Sequence, residues 1–250
     1  MLILARNEVY RLFLSPLAWI ILALCQLLIA YLFLTHIDLF MQIQGKMAAI
    51  PGAPGVTEMI AIPLLNDAAT ILLLIAPLIT MRLIAEERRN NSLPLLLSAP
   101  LTIIQIVIGK FLGTLSFFII LLILISLMPL SLSLGADLDY GVIAAGFLGL
   151  ALLVASFTAV GLFLSSLTTQ PTIAAVSTFA FLFLLWIIDW AGNTQVTIET
   201  TSLFSWLSLL RHYEPLLQGE VNSSDVAYYF IIIVAFLTLT IRRLDAERFN

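Results

Sequence analysis

Four charged residues in a row, Glu86-Glu87-Arg88-Arg89, form the densest charge in a chain that is otherwise almost wholly apolar. Side chains of these types can do two kinds of work. Paired carboxylates can move protons in catalysis, and a charged helical turn can dock on another protein. Proteolysis within a membrane by paired glutamates, as in the CAAX-type enzymes, requires an arginine four residues after the second acid. Asn91 stands there, and no apolar run holds an interior histidine. Nucleotide hydrolysis would need a phosphate-binding loop. Gly109-Lys110 is followed by Phe111, and Ile104 occupies the place of that loop's first glycine. There is no cysteine cluster and no His-x-x-x-His pair to ligate a metal. His36 and His212 stand alone in the sequence and suit solvated or hydrogen-bonded roles. Asp67 and Asp189 fall at the ends of apolar runs, where they are candidates for an outer gate or for ordinary helix-end solvation. No catalytic, cofactor-binding or metal-binding residues are therefore assigned.

The elements that must position this charge are set by composition. Of 250 residues, 61% are hydrophobic and 10% charged, with a mean hydropathy of +1.10. A soluble domain would carry roughly 25% charged residues. The chain reads as an integral membrane protein. Eleven basic against fifteen acidic residues leave no basic face for nucleic acid. The single cysteine, Cys25, lies in an apolar run and can form no internal disulfide.

Runs of about 20 apolar residues can cross a bilayer as helices, and six are expected: 17–35, 64–81, 106–128, 142–165, 172–189 and 226–241. The first is too long for a signal-peptide core and lacks a small-residue cleavage site after it, so it is expected to stay as an anchor. Arg6, Arg11, Arg82, Arg88, Arg89, Lys110, Arg242, Arg243 and Arg248 all fall on one side of a six-span arrangement, against Lys46 and Arg211 on the other. The positive-inside rule then predicts both termini in the cytoplasm. Two external connections are expected, 36–63 and 190–225, neither large enough for a soluble domain. The second contains "SLFSWLSLLRHYEPLL", an amphipathic piece expected to lie in the membrane interface. The fold class is all-α, a single membrane domain over 1–250. An interfacial helix is expected at the amino terminus, where Arg6, Asn7, Glu8 and Arg11 mix with Leu2, Ile3, Val9, Leu12 and Phe13. In the fourth span Gly141, Ala145 and Gly149 recur at i+4, a helix-packing face that suits a tight bundle or a dimer seam.

Between the second and third spans the charged run extends a helix outward, and Asn91-Ser92 breaks it. Ser92 is a plausible N-cap, with Pro94 in the first turn of a short transverse helix that Pro100 ends. Thr102 can restart a helix into the third span. A bare turn needs only a few residues, so the extra length and the leucines point to a soluble partner. Glu86 and Glu87 are expected to project beyond the membrane, and Leu95, Leu96 and Leu97 to fill a groove on that partner.

The run Glu86-Glu87-Arg88-Arg89, then Leu95-Leu96-Leu97-Ser98-Ala99-Pro100, then Gly109-Lys110-Phe111 resembles the pattern of ABC type-2 permeases. That pattern has paired glutamates, a basic pair, Gly-Thr, a leucine triplet, a small-small-Pro step and Gly-Lys-Phe. "RHYEPLLQGEVNSSDVAYYF", leading into the last span, resembles the gliding-motility (GldF-like) branch. The family's Gly-Thr is Asn91-Ser92 here, and its following acid is Pro94. The resemblance implies a non-catalytic permease subunit of an ATP-driven transporter, an exporter by the habit of the superfamily. It would sit in the inner (plasma) membrane with a second permease copy or a homologue. A separate ATP-binding subunit would read the coupling segment formed by Glu86, Glu87, Arg88, Arg89, Leu95, Leu96, Leu97 and Pro100. A GldG-like auxiliary membrane protein is implied as a further partner, and no cofactor is. The alternative is a non-transporting membrane subunit of an ATPase-driven mechanical or envelope-remodelling complex, against which the short external loops weigh.

Overall fold

A computed structural model describes residues 2–47, 54–98, 101–192 and 208–248. They form helices and turns, with no strand among the described residues. In chain order the helices are α1 (Leu2–Leu14), α2 (Pro16–Met47), α3 (Ile62–Thr80), α4 (Ala85–Arg89), α5 (Leu93–Ser98), α6 (Ile103–Ser131), α7 (Tyr140–Leu167), α8 (Pro171–Gly192), α9 (Glu214–Leu217) and α10 (Ser223–Arg248). Backbone groups inside a bilayer must be satisfied within the segment, which is why apolar runs of this length fold as helices. Five stretches are long and apolar enough to cross a membrane: Pro16–Lys46, Thr57–Arg89, Ile103–Leu134, Tyr140–Leu167 and Ser223–Glu247. The expected fifth span falls in α8, whose described apolar part, Pro171–Ile187, is shorter.

α3 and α7 form the middle of the bundle, with 67% of each apolar window buried, against 33% for α2 and 22% for Ser223–Glu247. The outer helices therefore turn most of their apolar surface, such as Leu24, Leu27, Phe230 and Ile231, toward lipid or a partner. One core cluster joins Cys25, Ile29, Leu64, Leu72, Phe117, Leu121 and Leu153 along the spans. A second lies at the charged end, around Ile84, Leu93, Val107, Phe111, Leu162 and Leu244.

Small residues set the closest crossings. A Cβ at Gly161 would overlap the side chain of Thr80, which fixes how near α7 passes α3. At Gly149 a Cβ would meet Leu216 Cβ at 2.9 Å and Tyr213 Cδ2 at 3.0 Å. Gly149 and Ala145 are buried as expected, and Gly149 packs within this chain, against α9. Gly141 departs from the expected packing face. It is exposed in the first turn of α7, where its N–H and that of Val142 donate to Asp139 Oδ1 at 2.9 and 3.2 Å. A glycine so close to a helix end meets no neighbouring helix, because the small-residue repeat began before the bundle did.

The described part of the external amphipathic piece also departs from expectation. Leu209, Tyr213, Leu216 and Leu217 are buried in the bundle core and do not lie on its surface. The Tyr213 hydroxyl donates to Leu65 O at 3.1 Å and the Tyr229 hydroxyl to Leu209 O at 2.7 Å. Burial pushes the Tyr213 phenol well above its ordinary range, so it stays a donor. Interfacial and core-packed segments share one amphipathic pattern. The glycines at 146 and 149 of α7 open the space that draws this one inward.

Candidate functional site

Thr80 ends α3, and Met81–Ile84 form turns before α4 begins. The charged run is thus a separate short helix and not the continuous extension expected. The break is stabilised from a distance. Ser165 Oγ, on α7, accepts from Ile84 N and Ala85 N, both at 3.1 Å, and donates to Met81 O at 3.0 Å. One hydroxyl therefore satisfies backbone groups on both sides of the break.

α4 is stopped just past Arg89 by Asn91, whose φ of 55° lies in the left-handed region. Ser92 N donates back to Glu87 O at 2.9 Å, and Asn91 N to Arg88 O at 3.2 Å, a helix stop of the kind that favours glycine and accepts asparagine. Ser92 does immediately precede α5, but its hydroxyl donates to Glu87 O at 3.2 Å. Pro94 lies in the first turn of α5, exposed. Thr102 caps α6 as expected, with Gln105 completing a reciprocal box.

The side chains of α4 divide. Glu87 turns inward. Its Oε1 accepts from Lys110 Nζ at 2.6 Å and from Arg11 Nη1 at 3.1 Å. Lys110 Nζ also donates to Glu8 Oε1 at 2.9 Å, and Arg11 lies 3.6 Å from Glu8 Oε2. Two acids and two bases from α1, α4 and α6 form a neutral knot. Lys110 and Glu87 are buried in it, their side chains 5% and 9% exposed. Gly113 makes it possible, since a Cβ there would meet Glu8 Cβ at 2.7 Å and Ala5 O at 3.0 Å. Without a side chain at 113, α1 lies directly on α6 and Glu8 reaches the lysine one turn away.

The expectation that Glu87 projects beyond the membrane is therefore corrected: a carboxylate beside a buried lysine is held by it. Sequence reasoning read Glu8, Arg11 and Lys110 as separate features. The available signal was Lys110 itself, a charge about two turns inside an apolar helix, which demands a counter-ion. Arg88 is also taken up internally, with Nη2 donating to both carboxylate oxygens of Glu247 at 2.8 Å. This joins α4 to the end of α10 and places both ends of the described chain at one end of the bundle.

Glu86 is half-buried, and Arg89, Asn90 and Asn91 are exposed. Leu93 is buried and Leu96 partly so, both packed in the second core cluster. Part of the apolar run is thus spent on the bundle itself. The side chains of Leu95 and Leu97, and Pro100 altogether, lie outside the described residues.

At the opposite end, Asp67 Oδ2 lies 2.8 Å from His36 Nε2, joining α3 to α2. His212 Nδ1 lies 2.7 Å from Asp225 Oδ1, and its ring stacks on Tyr228 at 3.9 Å. Both histidines are thus paired to acids. The side chain of Asp189 lies outside the described residues. No group of three or more His, Cys, Asp or Glu suited to a metal exists among the described residues.

Comparison with curated proteins finds no match. A family model described as ABC-2 family transporter protein matches residues 2–248. With helices long and apolar enough to cross a membrane and residues 2–248 matched, this multi-pass membrane protein belongs to the ABC-2 transporter family, as a permease subunit of an ABC transporter.

Proposed function

We propose that the chain couples ATP hydrolysis by a separate subunit to export across the inner membrane, with residues 82–111 as the coupling segment. The observation that carries this is the buried knot of Glu8, Arg11, Glu87 and Lys110. Buried charge pairs hold geometry because separating them leaves an unpaired ion in low dielectric. A push on α4 would therefore move α1 and α6 with it, and through Arg88–Glu247 the end of α10. Glu87 and Arg88 act as the internal tie. The exposed Arg89, Asn90, Asn91 and Pro94 are assigned to the ATP-binding subunit, with the half-buried Glu86 at their edge; Leu95, Leu97 and Pro100 are assigned to it from the sequence motif alone, and Leu96 anchors α5.

Both termini are assigned to the cytoplasm. The clustering of α1, α4 and the end of α10 at the basic end supports this orientation. The permease works as a pair, with a second copy or a homologue. The GldF-like branch, and with it a GldG-like auxiliary protein, is favoured by the second motif. Its residues lie together as one structural unit: His212 with Asp225, Tyr213 and Tyr229 on carbonyls, and Gly219, at φ 87°, against Val142. Asp67, with His36, and Asp189 remain the candidates for an outer gate.

The test is co-purification with the ATP-binding subunit, together with the ATPase rate in reconstituted membranes. Arg89→Glu combined with Asn90→Trp alters only exposed positions, so insertion and melting should be normal while docking is lost. Undiminished co-purification and an unchanged ATPase rate would remove the docking assignment.

A further inference from the structure

Two cavities meet at the charged end of the bundle. The first, about 360 Å³, lies between α1, the start of α2 and the end of α3. Its lining is largely apolar, with Leu12, Leu17, Leu78 and Ile79, and its charged lining residues are Glu8, Arg11, Arg82 and Glu86. The second, about 390 Å³, is polar and is lined by Arg89, Asn90 and Thr172. Arg82 and Glu86 line both. These sizes fall within the roughly 300–1,000 Å³ of small-molecule sites.

Arg82 and Glu86 differ from the charges around them. Glu8, Arg11, Glu87 and Lys110 are ion-paired with one another and Arg88 with Glu247, although Glu87 Oε2 and Arg88 Nε are buried without a hydrogen-bond partner. Arg82 and Glu86 are half-buried, yet neither has an ionic or hydrogen-bonding side-chain partner among the described residues. A partly desolvated guanidinium and carboxylate left over at a cavity rim both favour ligands of opposite charge. They follow Thr80, where the apolar α3 ends and charge begins, as at the boundary of a membrane-spanning helix. The shape asks for a phosphate, an ammonium and hydrocarbon in one molecule.

We propose that this is a binding site for a phosphoethanolamine lipid. The phosphate lies on Arg82, the ammonium donates to Glu86, and the first part of an acyl chain covers Leu12, Leu17, Leu78 and Ile79. A purely anionic lipid would leave Glu86 facing phosphate without a donor. A choline headgroup carries the charge but no N–H to give. A soluble phosphodiester would leave the apolar wall uncovered. The site bridges the amino-terminal helix and the coupling segment, so the bound lipid braces the same elements as the ion-pair knot. Glu86 also borders the docking face proposed above, so the lipid site is tested on the permease without its ATP-binding subunit.

Native mass spectrometry of the purified protein in detergent, offered equal amounts of phosphatidylethanolamine, phosphatidylglycerol and phosphatidylcholine, tests this without any variant. Phosphatidylethanolamine should be retained about tenfold over the other two, the effect of one charge-assisted hydrogen bond. Soluble glycerophosphoethanolamine should not bind at matched concentration. Glu86→Gln should abolish the ethanolamine preference while leaving phosphatidylcholine retention unchanged, and Arg82→Ala should lower retention of all three. Both sites are half-exposed, and melting without added lipid checks folding. Equal retention of the three lipids by the wild-type protein would overturn the proposal. So would an ethanolamine preference that survives Glu86→Gln. Equally tight binding of the soluble headgroup would reassign the site to a water-soluble phosphodiester.

Discussion

Replacing Lys110 by methionine should be the most damaging single change at the charged end. Its ammonium lies 2.6 Å from Glu87 and 2.9 Å from Glu8, with 5% of the side chain exposed. With an effective dielectric of about 20, each pair attracts by about 6 kcal/mol at such spacings. Desolvation, at several kcal/mol per ion, offsets much of this. Removal of the lysine is not offset in the same way. It leaves two carboxylates in a buried site with Arg11 alone for balance, and breaking a buried pair costs about 3–5 kcal/mol. Methionine keeps the volume, so the loss is electrostatic. The assay is equilibrium unfolding of the reconstituted or detergent-solubilised protein. Lys110→Met should lose about 3–5 kcal/mol. The triple change Glu8→Gln, Glu87→Gln, Lys110→Met should recover most of it, since well-packed neutral replacements of a buried ion group are often neutral or stabilising. A loss below about 0.5 kcal/mol for the single change would mean that these charges behave as a solvated surface pair, and the knot could not serve as a mechanical tie.

Ser165→Ala removes the acceptor for Ile84 N and Ala85 N and the donor to Met81 O, and thermal or chemical unfolding should show a loss of about 1–3 kcal/mol. Asn91→Gly should be neutral or stabilising and Asn91→Val destabilising by about 1–2 kcal/mol, because φ is 55° there; equal stability of the two variants would contradict the left-handed helix stop. Gly149→Leu should lower stability by at least about 1–3 kcal/mol through overpacking against Tyr213 and Leu216, whereas Gly141→Ala should change it by less than about 0.5 kcal/mol, as at an ordinary surface site. Cysteines placed singly at the exposed positions Asn222 and Asn90 should be labelled by a membrane-impermeant reagent from outside and only after permeabilisation, respectively; the reverse result would invert the topology.

Much of the fold was legible because lipid permits few choices. A chain with these apolar runs must make helices, and the helix start at Thr102 follows local rules that need no tertiary knowledge. The clustering of Arg and Lys at alternate connections also depends only on the order of residues. The charged segment was legible as a sequence feature, but its wiring was not. Glu87 sits 76 residues from Arg11, and Glu8 sits 102 from Lys110, and nothing in local sequence says which acid a buried lysine will choose. Helix crossings decide it, through Gly113 against α1 and Gly161 against Thr80. The same holds for the external piece at Tyr213, whose amphipathic pattern fits a membrane surface and a protein core equally. Periodicity records that a face is apolar. What covers that face is settled only when the neighbouring helices, and the gaps their glycines leave, are in place.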